Sequence, residues 1–331
     1  MDSELALAYR RATDALTYVE RCIITTHVNP DGDAVGSALA TWHTLKALGA
    51  SVTVILPSPA PVNMLWMPGA TDMEVYSPSA HDALIHSVDT IIVLDLNTLK
   101  RLDTLGAAIA SSAAKIINID HHTMPDAFAH IQVVDTDAAA TCDMLVPILL
   151  PHAGAAMRAV SVCLYTGIMT DTGGFRFPRT TSELHRRVAT LIDGGADPVR
   201  AYEEVFNQSG IERTRMLGQA LTSLKTFYDG RLCVMVITRN DLKTHRCSVD
   251  DVEGYVHHTL AIAGVRMGVM IVELDGMIKC SFRSKGDTYV RDLAASFGGG
   301  GHVYAAGARI KGVGLDQAVR DVVAAAERYL Q

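Results

Sequence analysis

Short apolar runs alternate with amphipathic stretches through the first half of the chain. Cys22–Thr26, Val52–Leu56, Ile91–Leu94 and Ile116–Ile119 are β-branched and apolar at successive positions, as expected of strands buried on both faces of a parallel sheet. Helix-patterned stretches lie between them. The clearest is Ala34–Leu48, with Gly49 placed as its stop signal. Met1–Glu20 sets charged residues among Leu, Ala and Tyr at helical spacing. This alternation predicts an α/β domain, an open and mostly parallel sheet with helices on both faces. In such sheets ligands bind at the carboxyl ends of the strands.

The second half reads differently. From about Thr180 to Tyr228 the pattern is helical throughout, broken at Asp193-Gly-Gly-Ala-Asp-Pro198. A strand at Leu232–Thr238 then opens a second unit, and Val269–Leu274 with Ile278–Arg283 predict a hairpin turning at Asp275-Gly276. A glycine-rich loop, Gly298–Gly301, and a terminal helix over Leu315–Leu330 complete it. The expected organisation is a catalytic domain over 1–185, a helical linker over 186–228 and a smaller α/β domain over 229–331, with the active site in the cleft between domains.

Composition narrows the class. The 331 residues suit two domains better than one. A net charge of −7, from 29 Lys+Arg against 36 Asp+Glu, argues against coating long nucleic acid through bulk positive charge. A short nucleotide in a local basic pocket remains compatible. The six cysteines show no Cys-x-x-Cys spacing and predict buried, reduced thiols rather than a zinc site or disulfides. No apolar run approaches the roughly 18 residues of a membrane span, and the N-terminus lacks a signal-peptide core. The expectation is a cytoplasmic protein.

The chemistry lies where the acids and histidines fall. Strand Cys22–Thr26 runs into His27-Val-Asn-Pro-Asp31-Gly-Asp33, strand Ile91–Leu94 ends on Asp95, and strand Ile116–Ile119 ends on Asp120-His121-His122. The apolar helix Val160–Met169 ends on Asp171-Thr-Gly-Gly. A parallel sheet brings the three strand ends to one edge. Carboxylates mixed with imidazoles suit a pair of divalent ions, which need several such ligands and usually one that bridges. Each element also has a plain reading. Asp31 or Asp33 suits the cap of the helix beginning near Ala34, and Asp171-Thr-Gly-Gly suits an ordinary turn. Four acidic ends accompanied by three histidines favour the metal reading over those alternatives. There is no Walker A motif, no His-Glu-x-x-His and no Gly-x-Ser-x-Gly.

In the second unit, Ser281-Phe-Arg283-Ser284 and Gly298-Gly-Gly-Gly-His302 pair a guanidinium fork with a loop whose backbone amides can approach an anion. His257-His258, without acidic neighbours, is read as structural.

Taken together, these motifs resemble the DHH phosphoesterase family, in its small branch with a DHH-associated C-terminal domain. The matching elements are His27-Val-Asn-Pro-Asp31-Gly-Asp33-Ala, Asp95, Asp120-His121-His122 and Asp171-Thr-Gly-Gly-Phe175. Arg283-Ser284 and Gly298-Gly-Gly-Gly-His302-x-x-Ala-Ala-Gly307 follow in order. The resemblance implies that His27 and Asp31 hold one metal, that Asp33, His121 and Asp171 hold the other, and that Asp95 bridges. It implies that Asp120 orients its neighbouring imidazole and that His122 contacts the scissile phosphate. Arg283, Ser284, Gly299, Gly300, Gly301 and His302 would bind the substrate's other phosphate or terminal nucleotide.

Manganese is the expected ion, with magnesium or cobalt as alternatives. The implied substrates are short RNA, linear dinucleotides such as pApA, and pAp, with no membrane and no long duplex as partner. A homodimer is left open. The competing readings are an inorganic pyrophosphatase or polyphosphatase and a nucleotide-binding regulator without turnover. The pyrophosphatase relative has a different C-terminal domain, and the single-strand exonuclease branch is longer. The polar stretch Leu96–Arg101 is expected to add nothing to substrate choice.

Overall fold

The β-branched runs pair as parallel strands. In the computed structural model, which describes residues 3–330, the chain divides into two compact units, Met1–Gln208 and Ser209–Gln331. The first contains β1 (Arg21–Thr25), β2 (Ser51–Leu56), β3 (Glu74–Val75), β4 (Thr90–Leu94), β5 (Lys115–Asp120) and β6 (Ile131–Val134). Its helices are α1 (Ser3–Thr17), α2 (Gly32–Ala47), α3 (Pro78–Ser87), α4 (Thr104–Ala110), α5 (Thr141–Leu149), α6 (Met157–Asp171), α7 (Ser182–Asp193) and α8 (Pro198–Phe206). The strand order is β3-β2-β1-β4-β5-β6, and every pairing is parallel.

Strand alternation explains why these runs carry no polar face. Cys22, Ile24, Ile92, Leu94, Ile117 and Ile119 join one core with α2, α5 and α6. Their alternates Ile23, Ile91, Val93 and Ile116 join a second core with Ile85 of α3 and Leu105 and Ile109 of α4. Both faces of the sheet are therefore covered, as the uninterrupted apolar pattern requires. The chain winds outward from β1 to β3, then returns to β4 on the other side of β1. The carboxyl ends of β1 and β4 thus border the switch point where a doubly wound sheet opens a crevice.

The second unit holds β7 (Lys225–Phe227), β8 (Leu232–Ile237), β9 (Met267–Leu274), β10 (Met277–Ser284), β11 (Gly300–Gly301) and β12 (Ala305–Lys311). Its helices are α9 (Ile211–Thr222), α10 (Arg239–Thr244), α11 (His257–Leu260), α12 (Arg291–Ser296) and α13 (Leu315–Ala326). The order β11-β12-β10-β9-β8-β7 is antiparallel except between β8 and β9. The β9–β10 hairpin turns at Asp275-Gly276, with Gly276 at a φ of +69°.

Residues 186–228, expected to form a separate linker, are instead divided between the units. Val188, Leu191, Ala201 and Val205 of α7 and α8 bury in the first core, whereas Met216 and Ala220 of α9 bury against Met235 and Ile237 of β8. Amphipathic helices need an apolar partner, and each of these finds one in the nearer unit. All six cysteines are free thiols, as expected, and all but Cys247 are fully buried. Among the described residues no helix is long and apolar enough to cross a membrane.

Candidate metal centre

The segment after β1 turns sharply. Asn29 takes a left-handed φ of +54°, and Asp31 then caps α2, its Oδ1 accepting from the N–H groups of Asp33 at 3.0 Å and Ala34 at 3.1 Å. The capping role and a ligand role are thus compatible, because the cap occupies one carboxylate oxygen and leaves the other. His27 donates from Nδ1 to its neighbour's carbonyl, Val28 O, at 2.9 Å. A carbonyl can only accept, so this bond fixes Nδ1 as the donor. It turns Nε2 toward Asp95 Oδ2, 3.4 Å away.

Asp33 is fully buried and is held from a distant part of the chain. The first amides of α5 point at it, with Thr141 N–H donating to Oδ2 at 2.7 Å and Cys142 N–H donating to Oδ1 at 2.8 Å. A helix N-terminus stabilises a carboxylate through its unpaired amides and its dipole. The close approach of α6 depends on Gly167, where a Cβ would strike the Cys142 sulfur and lie 3.1 Å from Asp33 Oδ1.

Asp95 sits at the centre. It follows β4 with a φ of +59°, a conformation that Asp tolerates better than most residues, and it is 2% exposed. Thr141 Oγ1 donates to Asp95 Oδ1 at 3.1 Å. His121 Nε2 lies 3.5 Å from the same oxygen, while His27 faces Oδ2. The two oxygens therefore face different imidazoles. His121 Nε2 also lies 3.5 Å from Asp171 Oδ2, at the end of α6, and 3.9 Å from Asp33 Oδ2.

The Asp-His-His turn departs from expectation in one respect. Asp120 accepts from His122 Nδ1 at 2.7 Å rather than from the adjacent His121, whose Nδ1 has no hydrogen-bond partner. Strand geometry accounts for this, because residues two apart at the end of β5 share a face and adjacent ones do not. Arg101 Nη1 lies 3.3 Å from His122 Nε2. A guanidinium can only donate, so Nε2 is the acceptor and the His122 proton sits on Nδ1. The Arg101 carbonyl also accepts from Val28 N–H at 2.8 Å, tying this residue to the loop that bears His27. The polar stretch after Asp95 thus places the Arg101 guanidinium beside His122.

Electrostatics shows how the buried charges oppose one another. Burial raises the Asp33 carboxyl well above the usual carboxylate range, and repulsion from Asp95 and Asp171 adds to the effect. Burial likewise pushes Asp171 up to about 7. Asp95 is lowered despite its burial because His121 and His27 both hydrogen-bond to it. His121 is raised to about 10, its bond to Asp95 and the surrounding carboxylates overcoming burial. A buried group of carboxylates that cannot all ionise is a site in which cations can replace protons. The ligand atoms of His27, Asp31 and Asp95 lie within 4.8 Å of one another, and so do those of Asp33, His121 and Asp171. Asp95, His121 and His122 form a third such group. The donor set, carboxylate oxygens with imidazole nitrogens, fits manganese-type ions.

The residues expected to bind substrate come together at one end of the second sheet. Arg283 of β10 pairs with Ala305 of β12, and Gly300 and Gly301 of β11 pair with Gly307 and Ala306. Arg283 is half-buried, and burial lowers the pKa of its guanidinium. Ser284 is buried, with no hydrogen-bond partner for its hydroxyl. His302 is exposed at the tip, where its N–H donates to Ala305 O at 2.7 Å. The glycines differ in kind. A Cβ at Gly299 would collide with the Gly307 carbonyl, and one at Gly301 would come within 2.6 Å of the Ala305 carbonyl. A Cβ at Gly300 would meet nothing within 4 Å. The fold explains the first two. Gly300 leaves bare backbone open to an approaching ligand. His257 and His258, read as structural, are exposed at the start of α11 and join no metal-holding group among the described residues.

Sequence reading missed Thr141, the Cys142 amide and Arg101. Backbone amides carry no residue signature, and a search confined to acids and histidines passes over a threonine and an arginine.

Residues 21–168 match the DHH family, N-terminal domain, and residues 229–331 match the DHHA1 domain. The chain is 34% identical, over 97% of its length and 94% of the relative's, to a bifunctional oligoribonuclease and PAP phosphatase NrnA of Thermus thermophilus. It is 26% identical to the Bacillus subtilis protein of the same description, over 89% of this chain and 91% of that one. A crystal structure described as an exopolyphosphatase-related protein from Bacteroides fragilis superposes with a TM-score of 0.92 at 32% identity, covering 98% of this chain and 96% of that one. Exonuclease RecJ bound to manganese shares the fold at a TM-score of 0.54 and 13% identity, over 98% of this chain and 94% of that one.

Proposed function

Since the chain belongs to the DHH family, as the match over residues 21–168 and the 34% identity to a full-length relative show, we propose that it is a two-metal phosphoesterase that cleaves short oligoribonucleotides and linear dinucleotides to mononucleotides and pAp to AMP. The observation that carries this reading is Asp95, shared between imidazoles that belong to two separate ligand groups. His27 and Asp31 would hold one ion, Asp33, His121 and Asp171 the other, and Asp95 would join them. Manganese fits this mixed oxygen and nitrogen set better than magnesium. The chemistry supplied by a bound pair is acidification of water and neutralisation of phosphoryl charge.

The chain's own residues do the rest. The amides of Thr141 and Cys142 fix the Asp33 carboxylate, and the Thr141 hydroxyl orients Asp95. Asp120 orients His122 through its Nδ1–H, the Arg101 guanidinium would donate to a phosphoryl oxygen, and His122 would donate to a leaving group only with a second proton on Nε2. In the second unit, Arg283, Ser284, His302 and the backbone at Gly300 would bind the substrate's other phosphate or terminal nucleotide.

An inorganic polyphosphatase is a second reading, favoured by the description of the Bacteroides fragilis neighbour. A regulator without turnover is disfavoured by the complete ligand set. One product assay separates the three. The Mn²⁺-loaded protein is offered pApA, an RNA trimer, a five-nucleotide RNA, pAp and pyrophosphate, with Asp95→Ala as the blank. Mononucleotides from the short RNAs support the proposal. Phosphate from pyrophosphate alone moves the chain to the second reading, and no product from metal-loaded protein leaves the regulator.

A further inference from the structure

Tyr289 and Tyr304 lie beside the glycine-rich loop and are 49% and 47% exposed. Their ring centroids are 5.7 Å apart, with planes inclined at 57°. Neither belongs to the apolar core of its unit, whereas Tyr228 and Tyr329 pack against that core. The pair is nevertheless well anchored. Ser284 N–H donates to the Tyr304 carbonyl at 3.0 Å, and Val290 N–H, one residue after Tyr289, donates to the Val303 carbonyl at 2.8 Å. Tyr304 is thus the backbone neighbour of Ser284 and follows His302 by two residues. Two hydroxyls in these segments, Ser284 Oγ and Thr288 Oγ1, are buried without a hydrogen-bond partner. An unpaired buried hydroxyl is costly, and a ligand's polar atom is one way to satisfy it.

We propose that Tyr289 and Tyr304 form a nucleobase-stacking wall beside the phosphate-binding loop, so that the second unit recognises a whole nucleotide rather than a phosphate alone. The inference rests on the phosphoesterase reading and gives its substrate site a second criterion. Every base has a π-face, so stacking of this kind accepts any base but requires one. Two inclined rings would meet one face and one edge of it. Inorganic pyrophosphate and polyphosphate gain nothing from such a wall. The selection of nucleotides over inorganic chains would therefore lie in these two side chains, outside the metal ligands.

The test compares adenosine 5′-monophosphate with ribose 5-phosphate, which keeps the phosphate and sugar but lacks the base. Calorimetric titration of the full-length Mn²⁺-loaded protein is expected to show the nucleotide bound at least about fivefold more tightly, the lower end of a base–aromatic stack. The double variant Tyr289→Leu/Tyr304→Leu should bring the two affinities together by weakening the nucleotide alone, while Tyr304→Phe should retain the preference. Equal affinities in the wild type, or a preference that survives the double variant, overturn the wall. So does a double variant that loses ribose 5-phosphate as well, since the rings would then be supporting the loop. Because binding is read without turnover, these outcomes are separate from a failure to hydrolyse pApA, which would count against the phosphoesterase reading itself.

Discussion

The two candidate sites are built on opposite principles. In the first unit, charge is concentrated and buried, and Asp33 and Asp95 accept hydrogen bonds from the start of α5. In the second, one half-buried arginine stands beside a glycine-rich loop that leaves bare backbone open at Gly300. The first arrangement is held against its own repulsion, which bound cations would relieve. The second would meet an anion with amides and one guanidinium. A metal site therefore tolerates little change in side-chain chemistry, while a backbone site tolerates little change in side-chain volume. Mutations of the two kinds should separate cleanly.

The largest expected effect is at the shared ligand. Asp95→Ala should abolish hydrolysis and lower bound metal measured by elemental analysis, with the circular dichroism spectrum retained. Unchanged turnover would remove the two-metal reading. One step outward, Asp120→Asn should cost about 10- to 100-fold in kcat, as loss of an orienting partner typically does, with metal content unchanged. That split follows from its bond to His122 rather than to His121, and a drop in metal content instead would place it on the metal ligands. Arg101→Ala should lower kcat/KM by about tenfold or more through loss of a charged donor.

The glycine pair tests the volume argument. Gly299→Ala should destabilise the protein by about 1–3 kcal/mol in denaturant titration, because its Cβ would meet the backbone of β12. Gly300→Ala should leave stability unchanged and raise KM, since its Cβ enters open space. The reverse result would mean that the loop's glycines serve only the fold.

The smallest effect is one of sign. In the metal-free chain Asp171 is raised from 3.8 to about 7 and His121 from 6.5 to about 10. The native state therefore binds more protons than the unfolded state, and stability contributed by both groups declines as pH rises through those intervals. With Mn²⁺ present, protons compete with the ion, and stability should rise with pH over the neutral range. Thermal melts with a chelator and with Mn²⁺ check the reversal.

How much of this could be read from the residues depended on the physical signal each element carries. The strands β1, β2, β4 and β5 are apolar on both faces and stand out as runs. By contrast, β6 carries Gln132 at the sheet edge, and β12 opens with Ala305-Ala306-Gly307, too small to register as an apolar strand. The carboxylates and imidazoles were visible because parallel strands deliver their last residues to one edge. What was hidden was the support. Thr141 meets Asp33 across 108 residues of sequence through a backbone amide, a group every residue but proline possesses. The division of the helical stretch at Gln208 was equally invisible, because amphipathicity tells a helix to pack without saying against which neighbour.

That distant support has a consequence for the order of assembly. During synthesis His27, Asp31, Asp33, Asp95 and His121 all emerge before α5 exists to clamp Asp33 and before α6 delivers Asp171. The growing chain can offer loose acids to passing cations, but the group of Asp33, His121 and Asp171 closes only after the helices beyond residue 140 have docked. Metal loading would then mark completion of the first unit, a built-in test that the nascent domain has finished folding.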